Sequence, residues 1–361
     1  MNLYRSIQWV IIGLAVGLGM PGAVHADAPE LQQRLEQLEA QVERLQQQAN
    51  DDAALADDAR RLDEAGYGDD FEMTFWVWLS YIYRDQPPRS TFWAWEVELS
   101  VTKVFTDAIA ATFDIDVIDT SNGARVELEQ AFLSLLVWRE HATVLTLGKF
   151  NAPFGIEPRD FWDRLAGSTS LLFRAQPQDL TGVMLTQPVG PVTLQGFAVN
   201  GFDQNLANNH QPSVGLVTAW EPHQDVHLAV THYWGPEMDD RVGDKLYLIV
   251  AEANWYLTPR LSLAGQYLWG STASPAGRQT WAGGAGIINV DLSQRWRAFG
   301  RWSYLDDRDG FVSGPRRQQE FGLGAAFYLL PELEFRTEYR RDWLNPGANR
   351  HSVFAHVTYG F

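Results

Sequence analysis

The chain contains no cysteine. That excludes disulfides, thiolate-bound zinc or iron–sulfur sites, and a lipid-modified cysteine behind a leader. Long apolar runs are scarce as well. Trp9–Met20 falls short of the ~18–20 residues that an apolar helix needs to span a bilayer, and no later run reaches that length. The sequence also lacks HExxH, a P-loop and a GxSxG elbow, so no motif points to enzymatic chemistry. The 8 histidines are scattered, and the nearest group, His223, His227 and His232, straddles a turn and a strand. These read as ordinary structural residues, not as metal ligands. Positive charge is in deficit, with 28 Lys and Arg against 45 Asp and Glu and a formal charge of −17. We expect no enzyme, no cofactor, no metal site and no nucleic-acid partner.

What is present opens with an export signal over residues 1–26. Arg5 supplies the charged start, Trp9–Met20 the apolar core, Pro21 the break and Val24-His25-Ala26 a small-residue exit. Residues 27–50 carry Leu31, Leu35, Leu38, Val42 and Leu45 at alternating spacings of four and three, the a/d seam of a coiled coil. Isolated helices below ~12–15 residues are marginal, so this short seam fits best where a larger body brings copies together. An amphipathic helix packed on its own domain has the same pattern. Residues 51–69, acidic and Ala-rich and closing near Gly66 and Gly68, read as a linker.

From residue 70 to 361 the period becomes two. Phe71, Met73, Phe75, Val77, Leu79, Tyr81 and Tyr83 alternate with Glu72, Thr74, Trp76, Trp78 and Ser80. The next segments place Trp93, Trp95, Val97 and Leu99 opposite Glu96 and Glu98, then Phe113, Ile115 and Val117 opposite Asp114 and Asp116. Strands this long match the ~9–11 residues that cross a bilayer at a tilt. Carboxylates repeated along one face are costly in a dry core but tolerable against water inside a barrel whose apolar face meets lipid. About sixteen such segments fit, so the expected fold is all-β: a transmembrane antiparallel barrel preceded by the short coiled coil. Tight turns such as Thr106-Asp107, Thr258-Pro259 and Leu330-Pro331 alternate with longer connections over 201–212, 235–244, 270–279 and 306–317. Tryptophans near many strand ends suit an interfacial girdle. Val357, Tyr359 and Phe361 share one face of the last strand, which resembles the signal by which outer-membrane barrels are recognised for insertion.

One connection breaks the pattern. Residues 150–180 are far longer than the usual ~4–6-residue link, and they mix Phe154, Phe161, Trp162, Leu171 and Leu172 with Glu157, Arg159, Asp160, Asp163, Arg164 and Arg174. We expect this insert to fold back into the barrel mouth as a constriction, with Lys149 at its root. A packed surface Ω-loop is the other reading. The stretch Gly148-Lys149-Phe150-x-x-Pro153-Phe154-Gly155-x-Glu157, then Ser170-x-x-Phe173 and Thr181-Gly182-Val183, resembles the porin-like outer-membrane barrels of the phosphate-selective-porin and β-barrel-porin type. The resemblance implies a trimeric diffusion channel narrowed by the insert. It does not imply phosphate selectivity, because the basic residues here are mixed with acidic ones.

Parity assigns Glu96, Glu98, Asp114, Asp116, Glu127 and Glu129 to an acidic lumenal wall, and Arg295, Arg297, Arg301, Arg336 and Arg340 to a basic one. Unit charges ~10 Å apart interact by only ~0.4 kcal/mol in water, so selectivity should be modest unless the insert narrows the path. Glu334 and Glu338 interleave with the late arginines, and lumenal salt-bridge ladders are an equal reading of the same residues. The function expected is passive diffusion of small hydrophilic solutes or ions. The site would be the outer membrane of a Gram-negative bacterium, among lipid and lipopolysaccharide, after delivery by the barrel-assembly machinery. The coiled coil would lie in the periplasm beneath a homotrimer. An occluded structural barrel, linked to the cell wall through the coiled coil, is the alternative.

Overall fold

A computed structural model describes residues 71–120, 123–164, 166–237, 243–274, 277–312 and 316–360. The leader, the seam Leu31–Leu45, the linker and Phe361 lie outside them. The strands are β1 Phe71–Asp85, β2 Pro88–Thr106, β3 Ile109–Thr120, β4 Gly123–Trp138, β5 Thr143–Asn151, β6 Asp179–Val189, β7 Val192–Val199 and β8 Ser213–His223. They continue as β9 Val226–Pro236, β10 Lys245–Thr258, β11 Leu261–Ser274, β12 Gly277–Asp291, β13 Trp296–Asp306, β14 Arg317–Leu330, β15 Leu333–Asn345 and β16 Arg350–Gly360. Each pairs antiparallel with its neighbours, and β1 closes on β16 from Trp76↔Gly360 to Arg84↔Ser352. Closure pairs the backbone of every strand laterally, the condition for a sheet to sit in hydrocarbon.

The expected sixteen-strand barrel is therefore the observed one. Among the expected long connections, 270–279 is different: β11 and β12 stay paired from Gly270↔Trp281 out to Ser274↔Gly277. Its small and hydroxylated residues have loop-like composition, yet their backbone carries on the ladder. One end of the barrel has only short turns, and the other bears the connections 152–178, 200–212 and 307–316.

Outward, Phe71, Met73, Leu79, Val126, Leu185 and Leu323 are exposed, an apolar surface suited to lipid. Trp138, Trp220, Trp255 and Trp296 are exposed at the short-turn ends of β4, β8, β10 and β13, where an interfacial girdle belongs. Val357 and Tyr359 lie on β16 opposite Leu79 and Val77 of β1.

Two bulges re-aim side chains. The β1–β2 register shifts between Trp78 and Leu79, pairing Glu96 with Trp78 but Ala94 with Leu79. The extra residue, Trp95, reverses the facing above it, so Trp93 and Trp95 turn inward and Phe92 is left 85% exposed. Strict alternation had put those two tryptophans on the lipid face. A second shift between Asp114 and Ile115 inserts Glu129 into β4, which sends both Glu129 and Gln130 inward. A bulge adds one residue to one strand and changes which face follows.

The interior is divided. From β6 to β12 many inward residues are apolar as well, with Met184, Phe197, Val217, Leu246, Leu248 and Leu268 buried in one cluster beside the polar Thr231, Glu252 and Gln266. Facing them across the barrel, β2–β4 and β13–β15 present buried Glu98, Asp116, Glu129, Glu320, Arg301 and Arg336. The insert's Phe154, Leu171, Leu172 and Ala175 complete the apolar cluster.

Two motif glycines make the root of the insert possible. Gly148 and Gly182 lie opposite each other on β5 and β6. A Cβ on Gly148 would collide with the Ala131 carbonyl oxygen of β4, and one on Gly182 with the Ala198 carbonyl oxygen of β7. Gly148 also has φ +134°, a conformation that side chains rarely adopt. Gly148→Ala should destabilise the barrel by at least ~1 kcal/mol, read as a lower midpoint in urea-driven unfolding. An unchanged midpoint would show that β4 and β5 separate freely.

Candidate functional site

The insert crosses the barrel interior and is held by its backbone. Arg301, Arg336 and Arg340 project inward from β13 and β15, and each donates to insert carbonyls. Arg336 reaches Phe161 at 3.2 Å and Ala166 at 3.3 Å, Arg340 reaches Thr169 at 2.6 Å, and Arg301 reaches Ser168. Each is also ion-paired. Arg301 meets Glu320 at 2.8 Å, Glu157 at 3.0 Å and Glu338 at 3.2 Å. Arg340 meets Glu320 at 2.5 Å and Asp342 at 2.8 Å, and Arg336 meets Glu334 at 2.6 Å. The late-strand arginines are therefore neutralised in a lumenal ladder, and their spare donors hold the insert. Arg297 pairs with Asp291 at 2.9 Å. Arg295 is exposed in the turn between β12 and β13, so it is not part of a lumenal wall; parity was extended past the start of the strand.

The motif residues of the insert bind one another. Glu157 accepts the Ser170 amide at 3.0 and 3.2 Å, and Ser170 Oγ accepts the Phe173 amide at 3.1 Å. Gly155 N donates to Glu252, and Ile156 N to Gln266 at 3.0 Å. Phe154 is buried against Phe197 and anchors the insert there. Lys149 is taken up by the wall, donating to the Leu128 carbonyl at 2.8 Å with Asp179 at 3.6 Å. On the far side, Phe161 stacks on Trp78 and Trp162 on Trp76. Trp78 Nε1 donates to His356 Nδ1 at 2.8 Å, so the aromatic contact extends to β16.

The early-strand carboxylates have fewer partners. Asp114 is held by Ser100 and Gln130, and Glu127 by Arg125. Glu96, Glu98, Asp116 and Glu129 converge, with Arg159 of the insert at 2.5 Å from Glu129 and 3.0 Å from Asp179. Asp160 faces the same group; burial, then the Glu129 charge, push it up to about 7. Arg164 lies against the rings of Phe161 and Phe173, with centroids at 5.6 and 5.2 Å. Burial lowers it to about 10, so it keeps its charge at neutral pH. The cations opposite the acidic wall are thus insert residues, which strand parity alone had no means of finding.

Three cavities share lining residues with one another, the middle one lying against this wall. One of about 450 Å³, near the long-loop end, is lined by Arg84, Arg89, Trp93 and Asp119. It shares Ile82, Arg84 and Ile118 with a cavity of about 270 Å³ lined by Glu96, Asp116, Glu127, Glu129 and Arg159. The latter shares Arg164 with a cavity of about 310 Å³ that reaches Thr258, Arg260 and Arg297 at the short-turn end, where Asp163 also lies. On the other half of the barrel, Trp281 stacks on Phe311 at 3.9 Å and donates to the Ala175 carbonyl at 3.2 Å. Phe202 packs edge-on against Phe311. Exposed Arg174 lies beside these residues, lining a cavity with Leu171 and Phe202. The histidines singled out earlier stay apart: His223 pairs with Asp225, His227 with Glu221, and His232 with Tyr247.

Residues 101–357 match the model of a family described as "Putative beta-barrel porin-2, OmpL-like". No curated protein matches the sequence. Among solved structures, the barrel is similar to an anion-selective porin from Comamonas acidovorans, at 11% identity and TM-score 0.61, covering 81% of this chain and 99% of that one. It is similar to the outer membrane channel DcaP of Acinetobacter baumannii, at 10% identity and TM-score 0.62, covering 81% and 97%. It is also similar to in-vitro-folded OmpT of Vibrio cholerae in its trimer form, at 7% identity and TM-score 0.56, covering 81% and 99%. At such identities the likeness is one of fold, and sites must be argued separately.

Removing one partner of a buried ion-paired group costs ~3–5 kcal/mol. Arg301→Ala should therefore release the insert, opening Arg159 and Arg164 to trypsin while the barrel stays heat-modifiable on gels. Continued resistance at both sites would remove the clamp from Arg301.

Proposed function

Because the chain belongs to the OmpL-like β-barrel porin-2 family, we propose that it is an outer-membrane channel for passive diffusion of small hydrophilic solutes and ions, and not an enzyme. The observation that carries this reading is the cavity between the insert and the acidic wall, which shares Ile82, Arg84 and Ile118 with a second cavity among β1–β3 and Arg164 with a third between the insert and β10–β13. The passage is eccentric, narrowed by the insert, and has Arg164 at the junction of its two inner cavities. Carboxylates outnumber cations along it, which favours cations. The anion selectivity of the Comamonas porin does not carry over.

The rest of the chain fits the same reading. Residues 1–26 direct export, 27–50 form a periplasmic coiled coil and 51–69 connect it to a barrel spanning 70–361. The outer face meets lipid and lipopolysaccharide, and the last strand, with Val357, Tyr359 and Phe361, is presented to the barrel-assembly machinery. A homotrimer is supported by the trimer form of the similarly folded OmpT and by the heptad seam. A second reading, an occluded structural barrel, is favoured by how much of the interior the insert fills on the β6–β12 side.

Single-channel recording of the refolded protein in a planar bilayer separates the two. A channel gives discrete steps and a reversal potential of cationic sign. Neutralising Glu127 should then lower the cation-to-anion permeability ratio by a factor of about two, the equivalent of ~0.4 kcal/mol. Silence from heat-modifiable, folded protein would establish the occluded barrel. Replacing Leu38 and Leu45 with polar residues should weaken the oligomer on gel filtration without loss of strand content; an unchanged oligomer would free the seam of that role.

A further inference from the structure

The acidic wall holds a grouping that no step of diffusion requires. Glu96 and Glu98 of β2, Asp116 of β3 and the bulge residue Glu129 of β4 each offer a carboxylate oxygen, and these four atoms lie within 4.8 Å of one another. Glu98 and Asp116 are each only 2% exposed. Among the described residues, the Glu98 Oε2 and Asp116 Oδ1 atoms have no hydrogen-bond donor. Buried acceptors are almost always satisfied, and an unsatisfied charged one carries a large desolvation cost. Other carboxylates on these strands do have donors: Asp114 has Ser100 and Gln130, and Glu127 has Arg125. On β2–β4 the orphaned carboxylate oxygens, those of Glu98, Asp116 and Glu129, all belong to the four-carboxylate cluster, where a cation would satisfy them. Arg159 meets Glu129 from one side but divides its guanidinium with Asp179.

We propose that Glu96, Glu98, Asp116 and Glu129 bind a divalent cation of calcium size within the channel wall. Calcium takes oxygen ligands at about 2.3–2.6 Å, so two of them on one ion can lie up to about 4.6–5.2 Å apart, whereas magnesium at about 2.0–2.1 Å allows only about 4.2 Å. The observed spread, within 4.8 Å, falls in the calcium range and exceeds the magnesium limit. Calcium also needs six to eight oxygens, and the adjoining 270 Å³ cavity, lined by Glu96, Asp116 and Glu129, has room for the waters that complete the shell. The bulge turns Gln130 inward beside Glu129, and Gln130 donates to Asp114, not to the cluster. A bound ion would cancel much of the wall's negative field at the level of Arg159.

The test uses the full-length protein refolded in lipopolysaccharide-free detergent, with terbium as the calcium-sized probe and Trp95, which lines the same cavity, as the sensitiser. Saturable luminescence is expected, displaced by calcium at lower concentration than by magnesium. In the Glu98→Gln/Asp116→Asn double variant the affinity should fall at least about tenfold, with heat-modifiable folding retained. Three results would overturn the proposal: no saturable signal from folded wild-type protein, an undiminished signal in the double variant, or equal displacement by magnesium. In the first case the carboxylates share protons instead. Binding in micelles does not depend on an open channel, so a silent bilayer experiment leaves this result standing, and the converse holds too.

Discussion

The structure depends on one requirement: a charged group taken out of water must be met by opposite charge and by hydrogen bonds on its remaining positions. Arg301 shows how this is done. Its guanidinium is fully enclosed, and Glu157, Glu320 and Glu338 surround it while Ser168 accepts through both its carbonyl and its hydroxyl. Two of those carboxylates come from the wall and one from the insert, so the charge balance closes only when the insert is in place. A buried pair of this kind contributes little net stability over apolar packing, but breaking it is costly. Its effect is specificity of position: the insert has one seat.

That seat divides the barrel lengthwise. On one side the insert's apolar residues meet an apolar wall, and Trp281 of β12 with Phe202 and Phe311 of the long connections closes over them. On the other side lie carboxylates and aromatics that the insert touches through Arg159, Phe161 and Trp162. The amphipathic character noted in the sequence of the insert is thus resolved in space. It has an oily side and a charged side because the barrel around it has both.

Much of this is legible in the sequence. Where one face meets lipid and the other water, a period of two marks each strand and its facing, and so β1, β3 and β13–β16 could be read directly. Over Thr143–Lys149 and Thr181–Thr186 alternation carries no direction, for a physical reason: the insert packs an apolar surface inside and lipid lies outside, so both faces are largely hydrophobic. Trp93 and Trp95 were misplaced because a single bulged residue, Trp95 itself, inverts the parity above it, and a bulge leaves little trace in composition. The arginines of the late strands were recognisable as inward-facing charges. Their partners Glu157, Ser168 and Thr169 sit more than a hundred residues earlier in the chain, and no local pattern connects them. The motif Gly148…Glu157…Ser170…Gly182 stood out as a unit, and its meaning emerged only in three dimensions, as a pair of opposed glycines and a carboxylate capping a backbone amide.

The apolar half of the interior bears on how such a barrel could be re-engineered. An inward-folded loop is commonly pictured as a stopper whose excision leaves a wider water-filled bore. Here excision would uncover Leu246, Leu248, Val250 and Leu268, a greasy trough from which water withdraws, and hydrophobic stretches of that kind close pores by dewetting. The insert is better regarded as the missing third of the channel's own lining, and a nanopore designer would have to repaint the trough before removing it.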